Sequence, residues 1–234
     1  MLIILTIFTY VHKEFAIKTI LHSNEQMESL LESIKELQES EVKEIVTTRI
    51  NEFKEVGKES IHTIFKELCF CIMTANCSAE RCIEVQDKIG NGFLTLSEAK
   101  LPETMKANKY RFPNIRSKFI IEAREKMNQI EDIMKSESNG RKLREWMVHN
   151  IKGIGYKEAS HFLRNIGYEE FAIVDFHIAD LLAKYNIVEK PKRMTKTKYL
   201  EMEESLKIIG EKANLNLAEL DLYLWYLETG KILK

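Results

Sequence analysis

Proline is almost missing from this chain of 234 residues, which holds three prolines and nine glycines. So little punctuation excludes collagen-like and low-complexity architectures and leaves long stretches free to be helical. Cysteine is also scarce: Cys69, Cys71, Cys77 and Cys82 fall close together and lack the CxxC spacing of a zinc site. There is no secretory cleavage pattern and no iron–sulfur signature, so the four read as reduced thiols, mostly buried as small hydrophobes. Net charge is missing too, with 35 Lys and Arg against 36 Asp and Glu and a pI near 6.6. The totals therefore do not announce nucleic acid, although a DNA-binding face needs only local positive charge. Finally, no uncharged run is long enough for a membrane span. The opening "MLIILTIFTYV" is far short of the roughly 20 residues required, and it lacks the basic start of a signal peptide. The expectation is a soluble protein of the cytoplasm with no membrane partner.

What is present is helical periodicity, in a chain that is 44% hydrophobic and 30% charged. From Met27 onward apolar residues recur at helical spacing, so residues 1–26 read as an N-terminal extension of no assigned role and 27–234 as one domain. "FKELCFCIM" sets Phe65, Leu68, Cys69, Ile72 and Met73 on one face. Ser78 reads as the N-cap of the next helix, with Glu80 in its first turn. Pro113 opens a helix expected to run through Ile133. "RKLREWMVHNI" puts Leu143, Trp146, Met147 and Ile151 on one side of another. "LNLAELDLYLWYLETG" is apolar nearly all round, which places it in the interior, and Gly230 suits its C-cap. With no convincing alternating strand and no repeat, the class is all-α, with about ten or more helices.

Two stretches gather positive charge. "KYRFPNIRSK" holds Lys109, Arg111, Arg116 and Lys118 around Phe112, and "KPKRMTKTK" holds Lys190, Lys192, Arg193, Lys196 and Lys198. Either is compatible with a solvated loop; the aromatic among the bases of the first favours nucleic acid. His149, His161 and His177 have no zinc-ligand spacing, so no metal site is expected.

Between residues 139 and 166, a helix ending near Asn150, the turn Gly153-Ile154-Gly155, and a helix carrying Ala159, Phe162, Leu163 and Ile166 make a helix-hairpin-helix. The glycines allow a tight turn and close approach of a ligand. The second helix offers free N–H groups and its positive dipole end, an arrangement that takes a DNA phosphate without reading sequence. Lys157, in the first turn, can be a phosphate contact or a nucleophile. Asp175, which opens "DFHIADLLAKY", can be an N-cap or a catalytic carboxylate.

"KGIGYKEAS" followed by "IVDFHI" resembles the helix-hairpin-helix DNA glycosylases, in which a lysine at the position of Lys157 marks members that also cleave the strand. "FKELCFCIMTANCSAE" and the closing "ELDLYLWYLETGKILK" narrow the likeness to the archaeal type-2 8-oxoguanine DNA glycosylase/AP lyases, over Met27 to Lys234. The resemblance implies two helical lobes flanking a DNA-binding cleft. It implies a bifunctional N-glycosylase and abasic-site lyase of base excision repair, acting on double-stranded DNA that contains 8-oxoguanine and working at the nucleoid. It gives Lys157 as nucleophile, the aspartate at Asp175 as its shared partner, and Lys234 as a residue distinguishing 8-oxoguanine from guanine. One departure stands out: relatives often carry arginine after the aspartate, where this chain has Phe176.

Chemistry sets further expectations. A lysine attacks only when neutral, and from its ordinary pKa of roughly 10.4, half-neutrality near pH 7.4 costs about 4 kcal/mol. A helix N-terminus and burial against DNA both disfavour the ammonium. The nucleotide must be turned out of the duplex into a pocket with flat apolar walls. Trp225 and Phe112 are the stacking candidates, and Asn76 can either fill the vacated gap or cap a helix. No cofactor is required, although the backbone carbonyls of the hairpin leave room for a monovalent cation. A monomer is the default. The alternatives are the same mechanism on another oxidised base, or a non-catalytic hairpin module that only binds DNA.

Overall fold

The computed structural model describes residues 25–234, so nearly all of the 1–26 extension lies outside the described residues. Those described form thirteen helices with no strand among them. They are α1 (25–38), α2 (Val42–Val56), α3 (Ile61–Thr74), α4 (Ala79–Ile89), α5 (Gly92–Thr95), α6 (Lys100–Ala107), α7 (Pro113–Glu125), α8 (Met127–Ser136), α9 (Gly140–Asn150), α10 (Tyr156–Asn165), α11 (Phe176–Lys184), α12 (Lys196–Ala213) and α13 (Leu217–Thr229). None is long and apolar enough to cross a membrane.

Two lobes follow from where the apolar faces go. In the first, α3 is buried on nearly every side, with Phe65, Leu68, Phe70 and Ile72 enclosed by residues of α4 to α10. In the second, α1, α11 and α12 pack on one side of α13 through Leu30, Ile178, Leu206 and Leu224. The other side of α13 meets α2 through Phe53, Leu222 and Tyr223. A helix that serves two cores must be apolar all round, which is why α13 shows no polar face. Gly230 ends it at φ +69°, its N–H bonded to Tyr226 O at 2.8 Å.

The helix expected from Pro113 to Ile133 is broken at Lys126, where φ is −96° and ψ 9°. The Lys126 ammonium donates to Asn150 O at 2.6 Å, at the end of α9. The bend serves that tertiary contact and has no Gly or Pro to mark it. The cysteines are free, three of them buried and Cys77 half-buried.

Buried charges are paired. The Arg144 guanidinium binds both oxygens of Glu203, donates to Ser160 Oγ at 3.0 Å, and lies 4.8 Å from the centre of the Phe171 ring. This ties α9 and α10 to α12.

Candidate active site at the hairpin

The hairpin connects α9 to α10. Gly153 takes φ +82°, and a Cβ there would stand 2.4 Å from Phe119 Cδ2, so the position demands glycine twice over. Gly155 donates its N–H to Glu158 Oε2 at 3.1 Å, which caps α10 from its third residue. The other oxygen of Glu158 lies 3.4 Å from Lys157 Nζ. One carboxylate thus joins the hairpin backbone to the lysine ammonium.

Asp175 closes the opposite side. It is the N-cap of α11, its Oδ1 accepting the Ile178 N–H at 3.0 Å. The capping bond fixes the carboxylate without excluding chemistry at its other oxygen. The lobes leave a cavity of about 320 Å³ between the α3–α4 junction, α10, α13 and the tail. An open groove of about 650 Å³ adjoins it. Lys157 and Asp175 line both spaces and so stand at the threshold between them.

Trp225 and Lys234 line the inner cavity as well. Trp225 meets His177 edge-on, ring centres 5.2 Å apart. The Lys234 ammonium is turned into the protein, donating to Glu67 Oε1 at 2.7 Å and to Gln86 Oε1, and lies 4.6 Å from the centre of the Phe70 ring. Asn76 borders the outer groove in a left-handed conformation, φ +61°, just after the C-cap of α3, a turn that asparagine tolerates. Its carbonyl accepts from Arg111 Nη1 at 3.4 Å, and that of Ala75 accepts from Arg116 at 3.1 Å. Phe112 is not brought to either space. Its ring rests on the first core with the Arg111 guanidinium 4.8 Å from its centre, so the aromatic among basic residues is half-buried packing.

Other residues of the cavity emerge only from the fold. His161, one turn after Lys157 on α10, lines the cavity, is 6% exposed, and has no hydrogen-bond partner for either ring nitrogen among the described residues. Burial holds its pKa well below the ordinary value, assisted by the Arg164 and Lys157 charges, so the ring is neutral. Trp225 Nε1 is likewise unpartnered. Asp221 pairs with Arg164 and accepts the Ile173 N–H at 2.7 Å. Burial pushes its carboxyl up to about 6, against the pull of Arg164. Arg164 donates to Asn165 Oδ1 at 3.0 Å, and Asn165 donates to Glu67 Oε2 at 3.3 Å. A buried polar chain thus links Lys234, through Glu67 and Asp221, to the segment that carries Asp175. The sequence offers one signal of it: Asp221 is a carboxylate in the middle of a largely apolar helix, and a buried carboxylate requires a partner.

An amine and a carboxylate at the mouth of a cavity, beside a tight glycine turn, are groups that base excision with strand cleavage can use. Similarity to known proteins agrees. A family model described as 8-oxoguanine DNA glycosylase matches residues 46–215. The 8-oxoguanine DNA glycosylase/AP lyase of Methanocaldococcus jannaschii is 52% identical over 206 residues, 88% of this chain and 99% of that protein. That of Korarchaeum cryptofilum is 46% identical over 209 residues, 89% and 99% of the two chains. The fold matches the crystal structure of the M. jannaschii glycosylase/lyase in complex with a 15mer DNA containing 8-oxoguanine, with a TM-score of 0.85 at 51% identity, covering 88% of this chain and all of that one. It also matches the Thermotoga maritima 8-oxoguanine DNA glycosylase, with a TM-score of 0.83 at 41% identity, covering 89% and 100%. By sequence, by fold and by the cavity between its lobes, this chain belongs to the 8-oxoguanine DNA glycosylase family.

Proposed function

We propose that the chain excises 8-oxoguanine from double-stranded DNA and cleaves the strand at the resulting abasic site, with Lys157 as nucleophile and Asp175 as its carboxylate partner. The observation that carries this is the position of the two side chains at the one threshold shared by the inner cavity and the outer groove. A nucleotide turned out of the duplex places its base in the cavity and its sugar at that threshold.

The chemistry then runs in order. Lys157 Nζ, released from Glu158 and neutral, bonds to C1′ as the bond from C1′ to N9 breaks and its electron pair leaves with the purine, which takes up a proton. Asp175 stabilises the positive charge that develops on the sugar and accepts a proton from the attacking amine. Opening of the sugar ring breaks C1′–O4′, with O4′ taking the proton held by Asp175, and gives a protonated Schiff base, which acidifies the 2′ hydrogen. Loss of that proton drives the electron pair into a new C–C double bond and expels the 3′ phosphate.

Inside the cavity, Trp225 supplies a flat apolar wall and Lys234 belongs to the base-recognising set. His161 and Trp225 each hold a buried nitrogen without a partner, and a purine edge is a partner of the right chemistry. At the outer groove, Asn76 is placed to enter the vacated gap. Gly153 and Gly155 shape the tight turn that meets the phosphate. No step calls on a cofactor. A monovalent cation on the hairpin would sit among carbonyls of which two, Asn150 and Ile151, already accept hydrogen bonds. An activity on genomic DNA places the protein in the cytoplasm, at the nucleoid.

The test is borohydride trapping on a duplex with 8-oxoguanine. The expected result is a covalent adduct with the parent protein, none with Lys157→Gln, and a strongly slowed one with Asp175→Asn. An undiminished adduct from Lys157→Gln would assign the nucleophile elsewhere.

A further inference from the structure

Phe176 is the first residue of α11, directly after Asp175, and its side chain meets almost nothing. It is 65% exposed, the most exposed of the large hydrophobics among the described residues. It borders the outer groove together with Met194, so a ledge of apolar surface lies beside the threshold. Lys192 and Arg193, which lead into Met194, are exposed and carry no ion pair among the described residues. Their neighbours Lys190, Lys196 and Lys198 are paired with Asp180, Glu145 and Glu201. The ledge therefore borders the groove beside the catalytic pair, and the two residues just before Met194 in the chain are exposed bases with no ion pair among the described residues.

An aromatic ring held out in water beside a nucleic-acid site has one obvious use. Turning out a nucleotide unstacks the bases on either side of it and exposes an apolar face in the duplex, at the level of the groove that admits the sugar. We propose that Phe176 stacks on the base left exposed next to the flipped nucleotide, with Met194 beneath the strand and Lys192 and Arg193 on its phosphates. The inference deepens the reading of Lys157 and Asp175 as the active site. It makes Phe176 a positioning residue, which holds the opened duplex so that C1′ stays in reach of Lys157 without touching the reacting atoms.

The two halves of the ledge have different physical signatures. A stack is nearly independent of salt, whereas phosphate contacts release counterions and set the slope of log affinity against log salt. The experiment compares the parent, Phe176→Ala, Phe176→Trp, the double variant Lys192→Ala/Arg193→Ala, and Ile208→Ala, an exposed apolar residue outside the groove. Each is titrated by fluorescence anisotropy at several salt concentrations. One duplex carries a tetrahydrofuran abasic analogue and the other is intact. Phe176→Ala should bind the abasic duplex about tenfold more weakly, the scale of one base–aromatic stack, with an unchanged salt slope. Phe176→Trp should restore binding, and the double variant should flatten the slope by about two. Ile208→Ala should match the parent. Binding of Phe176→Ala within twofold of the parent, or an equal loss on the intact duplex, overturns the stack; an unchanged slope in the double variant overturns the phosphate contacts. Failure of the Lys157 reading would show differently, as a parent protein that binds the abasic duplex normally and traps no adduct on 8-oxoguanine DNA.

Discussion

The residue that most repays attention is His161, because the fold gives it no partner. An imidazole held neutral by burial binds a proton less readily folded than unfolded. As the pH falls below the ordinary value of 6.5, the unfolded chain takes up a proton that the folded chain refuses, and stability drops. Asp221 has the opposite sign. Its carboxyl, raised from 3.8 to about 6, holds a proton in the folded state that the unfolded chain has lost, so its share of stability falls as pH rises through that window. Comparing a variant with its parent isolates each group. His161→Phe should lose the decline in melting temperature between pH 6.5 and 5, a slope of up to about 1.4 kcal/mol per pH unit. The same variant should excise 8-oxoguanine more slowly at neutral pH, since it removes a hydrogen-bonding group from the cavity while keeping a flat ring. A melting curve with the parent's pH dependence would mean that His161 is solvated in the folded protein.

At the scale of the element, the hairpin is sensitive to one methyl group. Gly153→Ala meets both a positive φ and the Phe119 ring, whereas Gly230→Ala meets a positive φ and open space. We expect Gly153→Ala to cost about 1–3 kcal/mol and to weaken DNA binding; Gly230→Ala should cost about 1 kcal/mol and leave binding intact. Chemical denaturation and a binding titration of both variants check this. The same element shows what could be read without coordinates. The hairpin, Lys157, the helix after it and Asp175 lie within a short stretch, so local pattern finds their positions, while the roles expected of Lys157 and Asp175 come from the family resemblance. The caps at Ser78 and Gly230 were legible for the same reason. The bend at Lys126 was not, because it serves a carbonyl 24 residues away. His161 and Arg164 were silent, since a role made by two helices meeting has no local pattern, and Asp221 showed only as a carboxylate in a largely apolar helix. Phe112 carries two readings that sequence does not separate: an aromatic between arginines suits a base, and it also suits a guanidinium lying on a core residue, which is how the structure places it.

Across the whole molecule, the lobes are joined by buried ion pairs as well as apolar contact. Arg164 belongs to α10 and Asp221 to α13, and both are nearly inaccessible. Arg164→Met leaves a buried carboxylate unpaired and should cost about 3–5 kcal/mol in urea unfolding. Adding Asp221→Leu should recover most of the loss, because the expensive feature is the single unpaired charge. A double variant no more stable than Arg164→Met would show that the pair itself holds the lobes together. The hairpin has a consequence at this scale as well. Gly155 and Lys157 stand two residues apart and share the carboxylate of Glu158, so in the proposed reaction the phosphate-binding turn and the attacking amine start from one short piece of backbone. In the proposed mechanism the protein is then a gauge whose zero is the DNA backbone: the phosphate held at the turn selects the sugar that Lys157 reaches, and a slip of one phosphate would move the cut by one whole nucleotide.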